Sequence, residues 1–288
     1  MAEHKPSRPA ARFAVAAAAP HNARFRPQET HVNTPYLPGK FVWFELLTQD
    51  IDKAMKFYDA LFGWRSSRVP MGEGEAYPII HNGGESIGGY RKGPPGVASH
   101  WVPYLSVPDV DATHFAATEA GCRVMMAPMD FGTEGRAAAI ADPTGASFCV
   151  WKSAHGDPPD VESTPMGNWV WNELWTSDDQ KALSFYETMF GYTHDTMAMG
   201  PATYYMLKSG DKSRAGLCQS VNPKARSMWL PYVAVADCDA TARKVTQLGG
   251  QVVSPPADIP GIGRFAIAVD TTGAAIAFIK TEPMTSQG

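Results

Sequence analysis

The pattern of apolar and polar residues along this chain is typical of strands in some segments and of helices in others. These segments follow one another in a fixed order. Residues 41–48 are apolar apart from one acid, as in a strand buried on both faces. Asp50 then offers a helix cap, apolar residues recur at helical spacing as far as Leu61, and Gly63 provides a stop. Three short strands are predicted next, near 64–69, 76–81 and 86–90. The pattern therefore predicts a unit of one strand, one helix and three strands.

A fainter copy of this unit follows directly. Residues 101–107 are predicted to form a strand, and Asp109 caps a helix that Gly121 ends. Strands are again predicted after this helix, near 122–125, 136–141 and 147–151, with a turn at 142–145. Pro103 lies inside the first of these strands and cannot donate a backbone hydrogen bond, so we expect that strand to be at an edge or bulged there.

Both units recur farther along the chain at a constant offset. Trp171 and Glu173 lie 128 residues after Trp43 and Glu45. The same offset carries other motif residues onto their copies: Phe57-Tyr58 onto Phe185-Tyr186, Trp101 onto Trp229, Tyr104 onto Tyr232, Gly135-Arg136 onto Gly263-Arg264, and Asp142 onto Asp270. A register that holds without a slip over more than a hundred residues indicates a duplicated domain.

The repeat divides the chain into two domains, at 40–152 and 168–281. A polar, Pro-rich linker is predicted at 153–167, a flexible N-terminal extension at 1–39 and a short polar tail at 282–288. The length of 288 residues also fits about two domains. The sequence leaves open whether the units pair within a domain or across the two.

Charge and cysteine content limit the partners and the compartment. Residues 1–40 contain six Lys or Arg against two Glu, so the rest of the chain carries a net charge of about −8, which disfavours binding to nucleic acid. The four cysteines are scattered, as expected for buried thiols in a reducing compartment. No apolar run approaches the roughly twenty residues of a membrane span, and residues 13–19 are too weakly hydrophobic for a signal sequence. We therefore predict a cytoplasmic protein without a nucleic-acid or membrane partner.

The order of these motifs resembles a known family. A strand, a capped helix carrying Phe57-Tyr58 and Phe62-Gly63, three strands and a late Asp-Pro-x-Gly turn are similar to the glyoxalase/bleomycin-resistance/dioxygenase family, also called the vicinal oxygen chelate superfamily, and here to its tandem two-domain branch. The resemblance implies an α+β fold in which each domain consists of paired βαβββ modules that form a curved, cup-like mixed sheet with flanking helices. It also implies a small molecule held on the concave face.

Enzymes of this family usually bind one divalent metal in the cup, through a His or Gln of the first strand, a His of the fifth strand and a Glu of the last strand. This sequence has other residues at the matching positions: Trp43, Val102 and Cys149 in the first domain, and Trp171, Leu230 and Ala277 in the second. Tryptophan, valine and alanine have no lone pair to offer a metal. We therefore expect both cups to lack the usual metal centre and the protein to need no cofactor. The alternative is a divalent metal held by Glu45 with His81 and His100.

Two acids are the candidates for catalysis. Glu45 and Glu173 follow the matched metal positions by two residues and therefore lie on the same face of their strands. A carboxylate in an apolar strand is costly to bury alone. Each acid is expected either to pair with Arg136 or Arg264, or with the backbone, or to act as a general base with a raised pKa.

Aromatic residues are the main candidates for ligand binding. Trp43 and Trp171 replace a metal ligand on the concave face, where they either stack on a planar ligand or pack in the core. For Trp101 and Trp229 we favour core packing. The predicted ligand-binding residues are Trp43, Tyr104, Arg136 and His100 in the first domain and Trp171, Trp175, Tyr232 and Arg264 in the second.

These features favour a metal-independent protein that holds an aromatic or carbonyl metabolite or toxin in a concave, aromatic-lined pocket. The alternative is an enzyme, either a metal-dependent glyoxalase-like lyase or isomerase or a ring-cleaving dioxygenase with a non-standard metal site. Metal-free acid–base catalysis by Glu45 or Glu173 is a third hypothesis. Because a tandem chain contains both halves of a pseudo-dimer, we expect a monomer, with a homodimer as the alternative.

Overall fold

The computed structural model describes residues 35–72, 75–199, 202–222 and 225–282 of the chain. The first domain contains β1 (Phe41–Thr48), α1 (Ile51–Phe62), β2 (Arg65–Gly72), β3 (Glu75–Asn82), β4 (Glu85–Lys92), β5 (His100–Ser106), α2 (Val110–Glu119), β6 (Arg123–Phe131), β7 (Gly135–Ala141) and β8 (Ser147–Ser153). The second domain contains β9 (Trp169–Thr176), α3 (Asp179–Phe190), β10 (Thr193–Met199), β11 (Ala202–Ser209), β12 (Lys212–Gln219), β13 (Met228–Ala234), α4 (Cys238–Gln247), β14 (Gln251–Ile259), β15 (Gly263–Val269) and β16 (Ala275–Thr281).

Each domain forms one mixed sheet of eight strands. The strand order of the first sheet is β2-β3-β4-β1-β5-β8-β7-β6, and the second sheet repeats it as β10-β11-β12-β9-β13-β16-β15-β14. In the first sheet β1 is parallel to β4 and antiparallel to β5, which is parallel to β8. The two βαβββ modules of a domain therefore join edge to edge within that domain, and the predicted α+β fold of paired modules is confirmed.

The helix α1 begins and ends where the sequence predicts. The side chain of Asp50 accepts a hydrogen bond from the backbone N–H of Lys53, which satisfies one of the free donors of the first turn. Gly63 ends the helix with a φ of 77°, a left-handed conformation that glycine adopts without a steric penalty. Asp178 and Gly191 do the same for α3.

Pro103 sits where the central strand β5 has only one partner. It pairs across β1 with Phe44, whereas the ladder between β5 and β8 begins only at Tyr104. Pro231 of β13 likewise precedes Tyr232, the first residue that pairs with β16. The expectation of a local strand edge at this proline is confirmed, and the sheet is open at the same place in both domains.

The helices cover one face of each sheet, and the two domains pack these faces against each other. One core combines Leu46 and Tyr58 of the first domain with Phe278 of the second. The other combines Phe148 of the first domain with Tyr186 of the second. Helix α1 contacts α4, and α2 contacts α3. Both large cores therefore contain residues of both domains. The opposite face of each sheet, here called the cup face, carries a smaller apolar cluster.

The motif residues that mark the family connect the domains. The hydroxyl of Tyr186 accepts from the indole N–H of Trp229 (3.2 Å) and donates to Oδ2 of Asp142 in the other domain (3.0 Å). The other oxygen of Asp142 accepts from the backbone N–H groups of its own turn. Trp101 donates in the same way to Tyr58 (3.1 Å), whose pKa burial and nearby Asp270 raise. The expectation that Trp101 and Trp229 pack in the core is confirmed.

The register between the two copies slips once. Strands β1 and β5 lie 128 residues before β9 and β13, whereas β3 and β4 lie 127 residues before β11 and β12. The pairing shows the same slip, since Glu45 lies opposite Gly89 and Glu173 lies opposite Gly216. The prediction of an unbroken offset is therefore wrong for β3 and β4. The connection between β4 and β5 restores the register.

The linker is tied to both domains by its acidic residues. Asp157 is buried, and its Oδ2 accepts from the backbone N–H of Leu37 (2.6 Å) and from the hydroxyl of Ser106. Asp160 pairs with both guanidinium nitrogens of Arg214 in the second domain. Most of the predicted flexible extension, residues 1–34, lies outside the described residues. Within the described residues, no helix is long and apolar enough to cross a membrane.

Candidate functional site

The cup face of the first domain is built from alternate residues of neighbouring strands. Trp43, Glu45 and Leu47 share this face of β1, because successive side chains of a strand point to opposite sides. Glu45 lies between Gly89 of β4 and Val102 of β5. This arrangement places one carboxylate at the middle of an otherwise apolar and aromatic surface.

Three donors hold the Glu45 carboxylate. The hydroxyl of Tyr77 donates to Oε1 (2.8 Å), and the hydroxyl of Tyr104 donates to Oε2 (3.1 Å). The Nε of Arg91 donates to Oε2 at 2.9 Å and forms an ion pair with it. Glu45 is only 3% exposed, and its burial is offset because both oxygens accept hydrogen bonds and a cation neutralises the charge.

Gly89 allows Tyr77 to reach Glu45. Tyr77 belongs to β3, and its side chain crosses β4 to meet a residue of β1. A Cβ atom at Gly89 would lie 2.2 Å from the Tyr77 hydroxyl. The absence of a side chain at residue 89 is therefore a condition for this hydrogen bond.

The charges and burial of the site fix the protonation of its donors. Burial and the charge of Glu45 raise the pKa of Tyr77. Burial, Cys149 and Glu45 together raise the pKa of Tyr104. Although burial alone opposes the charged form of Arg91, the charge of Glu45 raises its pKa above the ordinary value. Both phenols and the guanidinium are therefore donors at neutral pH.

Arg91 also contacts two aromatic rings. Its guanidinium carbon lies 5.4 Å from the centre of the Tyr77 ring and 5.6 Å from that of Phe131, within the range of a cation–π contact. Only its Nε donates to an acceptor among the described residues, and its side chain is 30% exposed. The terminal N–H groups are thus available to an oxygen acceptor on the cup face.

The second cup face has the corresponding carboxylate, Glu173, but no arginine bonded to it among the described residues. Oε2 of Glu173 accepts from the hydroxyl of Tyr232 (2.8 Å) and from the indole N–H of Trp175. Trp171 donates to the hydroxyl of Tyr204 (2.8 Å), whose pKa burial and Glu173 raise. Among the described residues, no Lys, Arg or His forms an ion pair with Glu173.

Cys218 occupies the place that Arg91 has in the first domain. Arg91 lies opposite Leu47 of β1, and Cys218 lies opposite Trp175, the copy of Leu47, on β9. Burial and Glu173 raise the pKa of the Cys218 thiol to about 12. The second cup therefore has a neutral side chain where the first has a cation.

The predicted pairing of the two acids with Arg136 and Arg264 is wrong. Arg136 donates to Asp111 and Asp130 near the edge of the first sheet, and Arg264 donates to Asp239 and Asp258. The two arginines do not contact Glu45 or Glu173. The reason is local: each arginine has two closer acids, one at the start of a helix and one across a strand pair.

The histidines do not gather around Glu45. His100 is at the start of β5 opposite Leu47, and its Nδ1 is 2.8 Å from the carbonyl oxygen of Ala98. His81 is bonded to Ser67 and Ser86 on β2 and β4. Within the ranges that the structure describes, no three His, Cys, Asp or Glu side chains lie close enough together to hold a metal ion.

Two hollows of the described chain lie away from the cup faces. One of about 330 Å³ adjoins Tyr36, Arg136 and Lys152, and one of about 280 Å³ lies between Pro143 and Phe185. The tryptophans of the cup faces, Trp43, Trp171 and Trp175, are half-buried and therefore reach solvent. The cup faces thus present open aromatic surfaces to a ligand.

Comparison with known proteins identifies the family. The family model of the glyoxalase/bleomycin resistance protein/dioxygenase superfamily matches residues 40–150 and again residues 169–278. The chain belongs to this superfamily. Two matches in one chain also agree with the two eight-stranded sheets.

Two relatives match this chain over nearly their whole length. The chain is 38% identical over 255 residues to the "Putative glyoxylase CFP32" of Mycobacterium tuberculosis, covering 86% of this chain and 97% of that one. It is 32% identical over 263 residues to the anthracycline biosynthesis protein DnrV of Streptomyces peucetius, covering 86% and 95%. Each alignment therefore spans both repeats of this chain.

Solved structures share the fold at low sequence identity. The Mn(II)-bound glyoxalase from Novosphingobium aromaticivorans superposes with a TM-score of 0.60 at 15% identity, covering 86% of this chain and 83% of that one. The 2,2',3-trihydroxybiphenyl 1,2-dioxygenase from Sphingomonas wittichii gives a TM-score of 0.58 at 14% identity, covering 87% and 93%.

The residues of this superfamily member do not fit the metal of its fold relatives. The matched positions carry Trp43, Val102 and Cys149 in the first cup. Trp43 and Val102 have no lone pair to offer a metal, so Cys149 is the only potential ligand among these three residues. The oxygens of Glu45 are occupied by three protein donors. No step of a reaction is therefore assigned to a metal at this face.

Sequence reasoning found the acids and the tryptophans but missed three of their partners, Tyr77, Arg91 and Tyr204. An unbroken offset of 128 aligns Arg91 with Gln219, whereas the structure aligns it with Cys218. A signal that could have found the slip is the hairpin glycine Gly83, which recurs as Gly210 at an offset of 127, whereas an offset of 128 aligns Asn82 with Gly210.

Proposed function

We propose that this chain is a metal-independent small-molecule-binding protein that holds an aromatic or carbonyl compound on the cup face of its first domain. The observation that carries this proposal is the state of Arg91. Glu45 holds the guanidinium by Nε alone, and the terminal N–H groups have no acceptor among the described residues. An oxygen of a ligand is the acceptor that would complete the site.

The surroundings of Arg91 favour a flat, conjugated ligand. Trp43, Phe131 and Trp151 belong to the apolar cluster of the same face, together with Tyr104. Aromatic faces bind planar ligands by stacking, and a few polar groups fix the orientation. A ring placed on these residues can direct a carbonyl or quinone oxygen toward Arg91. A relative named for anthracycline biosynthesis is compatible with an aromatic ligand.

The test is a binding assay in which Arg91 is removed without leaving a buried charge. Tryptophan fluorescence is titrated with a panel of hydroxyquinones, aromatic aldehydes and α-ketoaldehydes. We expect at least one aromatic carbonyl compound to bind. The double variant Glu45→Gln, Arg91→Met should lower its affinity roughly tenfold or more, as for a lost charge-assisted hydrogen bond. The matched control Arg68→Met, which removes an arginine paired with Asp52 of α1, should leave the affinity unchanged. The proposal would be rejected if the double variant bound the compound as tightly as the wild type and the control variant do. It would also be rejected if no compound of the panel bound.

The alternative is an enzyme with a metal held at other residues. It is favoured by the likeness of the fold to a glyoxalase that contains Mn(II) and to ring-cleaving dioxygenases. Elemental analysis of the purified protein separates the two functions. A stoichiometric transition metal that supports lyase or dioxygenase turnover, and whose removal abolishes it, would establish the enzyme and displace the binding function.

Metal-free acid–base catalysis remains the third hypothesis, and Glu173 is its better candidate. Glu173 has no cationic partner among the described residues, whereas Glu45 forms an ion pair with Arg91. A turnover that is lost in Glu173→Gln and kept in Glu45→Gln would support this hypothesis.

We further propose that the protein is a cytoplasmic monomer. The helix-bearing faces of the two domains cover each other, so the chain contains its own pseudo-dimer contact. The four cysteines are free thiols, as expected in a reducing compartment. Native mass spectrometry at micromolar concentration tests the monomer, and a dominant dimer would contradict it.

A further inference from the structure

Glu173 is a buried carboxylate that forms no ion pair among the described residues. It is 7% exposed, it accepts from the hydroxyl of Tyr232 and the indole N–H of Trp175, and it also interacts with the hydroxyl of Tyr204. Its counterpart Glu45 is also buried and, in addition, forms the ion pair with Arg91. A buried charge of this kind is stabilised when an opposite charge lies close to it. The second cup lacks that charge among its described residues.

The first cup shows where a cation fits. There the guanidinium of Arg91 lies beside Glu45 and over the face of Tyr77. In the second cup Tyr204 takes the place of Tyr77, because it accepts from Trp171 as Tyr77 accepts from Trp43. The carboxylate and the ring are thus retained. Cys218, at the position of Arg91, carries no positive charge to pair with them.

The remaining walls of the second cup are aromatic. Trp171, Trp175 and Phe265 pack against the cluster that contains Tyr232, and all three are half-buried. The faces of such rings are electronegative and attract a cation within about 6 Å of the ring centre. A carboxylate surrounded by several rings is the arrangement that proteins use for ammonium groups, whose charge is spread over methyl or methylene groups.

We propose that the second cup binds the ammonium group of a small organic cation, with Glu173 as the counter-charge and Trp171, Trp175 and Tyr204 as the surrounding rings. The inference rests on the proposed function, because it requires that the cup faces bind small molecules. It adds the class of ligand that the second cup face binds. The two cups then differ in kind. The first holds its own cation and offers N–H donors, whereas the second offers a negative charge.

The test compares two probes of equal shape and different charge. Choline carries a positively charged quaternary nitrogen, and 3,3-dimethylbutan-1-ol has a neutral carbon at the same position. Their binding to the full-length protein is measured by tryptophan fluorescence and by ligand-observed NMR. We expect choline to bind roughly tenfold or more tightly than the alcohol.

Two variants and one control assign this preference to the site. Glu173→Gln should abolish the preference for choline, because the shape of the cup is kept and the charge is removed. Cys218→Arg should abolish it as well, because it supplies the cation that Arg91 supplies in the first domain. The control Glu162→Gln removes an exposed carboxylate of the linker and should leave choline binding unchanged. Circular dichroism checks the folding of each variant, and Cys218→Arg keeps the test decisive if Glu173→Gln does not fold.

Three results would overturn the inference. The first is equal affinity for choline and the neutral alcohol, which rejects the cationic ligand and leaves small-molecule binding in place. The second is choline binding that survives both Glu173→Gln and Cys218→Arg. The third is the absence of choline binding while aromatic carbonyl compounds bind through Arg91, which confines ligand binding to the first cup.

Discussion

Arg91 donates to Glu45 at 2.9 Å on one cup face, and the corresponding residue beside Glu173 on the other is a cysteine. The two faces share their strands, their carboxylate and a tyrosine that reaches over a glycine. They differ in net charge because of one side chain. In the proposed functions, this difference gives the two faces different classes of ligand.

Removing Arg91 alone should destabilise the protein. Arg91→Met leaves the Glu45 carboxylate buried without a cation, and we expect the free energy of unfolding to fall by roughly 2–3 kcal/mol, below the full cost of breaking a buried pair because Arg91 is partly exposed. Urea unfolding measures this loss. Adding Glu45→Gln should restore part of it, and Arg136→Met, at an exposed pair, should cost less than about 1 kcal/mol. A loss that the second substitution does not relieve would speak against charge as its cause.

Closing the gap at Gly89 should displace Tyr77. In Gly89→Ala the new methyl group would collide with the Tyr77 hydroxyl, so the ring must move and its bond to Glu45 is lost. We expect a loss of roughly 1–3 kcal/mol from overpacking, larger than that of Tyr77→Phe, at about 1 kcal/mol for one hydrogen bond. Thermal unfolding of the two variants decides the order. An alanine variant as stable as the wild type would contradict the described path of Tyr77.

The alkylation rates of Cys149 and Cys218 should depend on the glutamate in the same cup. Burial and the nearby glutamate raise the pKa of both Cys149 and Cys218 to about 12, so few thiolates exist at pH 8 and alkylation by iodoacetamide should be slow. Glu173→Gln removes the second of these causes for Cys218 and should lower its pKa. Mass spectrometry should then show faster labelling of Cys218 and an unchanged rate for Cys149.

The same groups should make the protein sensitive to alkali. A thiol whose pKa is raised from 9.0 to about 12 contributes stability that is present below pH 9 and is lost as the pH rises toward 12. The buried phenols of Tyr58, Tyr104 and Tyr186, whose pKa values are raised by burial, act in the same direction above pH 10. We expect tyrosine absorbance at alkaline pH to change in step with unfolding. Full ionisation of tyrosine in a folded protein would refute the burial of these groups.

The bond between Tyr186 and Asp142 should contribute to the contact between the domains. Tyr186→Phe leaves the indole N–H of Trp229 and Oδ2 of Asp142 without a partner in a buried place, which costs roughly 1–3 kcal/mol. Tyr58→Phe is the matched change in the other domain. Chemical denaturation should show one transition with a lower midpoint for either variant. Two separated transitions in the wild type would show that the domains unfold independently.

The fold could be predicted because its signals are local. Asp50 and Gly63 bound a helix through cap chemistry, and the period of two in β1 places Trp43 and Glu45 on one face without knowledge of their neighbours. Pro103 has no backbone N–H to donate, and this predicts that the pairing of β5 is incomplete at this residue, as the ladder with β8 shows. Each inference needs only the residue and its position in a strand or helix.

The partners of the acids could not be predicted in this way. Arg91 reaches Glu45 through the pairing of β4 with β1, and a slip of one residue in the repeat changes which residue stands there in the second domain. Tyr77 is two strands away from Glu45 and depends on the empty space at Gly89. Arg136 looked suitable because its charge is right, but Asp111 and Asp130 are nearer. Contacts across strands depend on register, which single residues do not reveal.

The shared cores make the peptide connection between the halves dispensable once the protein has folded. Proteolytic scission near Val161, an exposed residue of the linker, should yield two fragments that migrate together as a heterodimer, since each supplies apolar side chains that the other needs. Two separately encoded halves could reach the same assembly. Because neither cup face takes part in that association, substitutions there can alter ligand choice in one half without disturbing recognition between the halves.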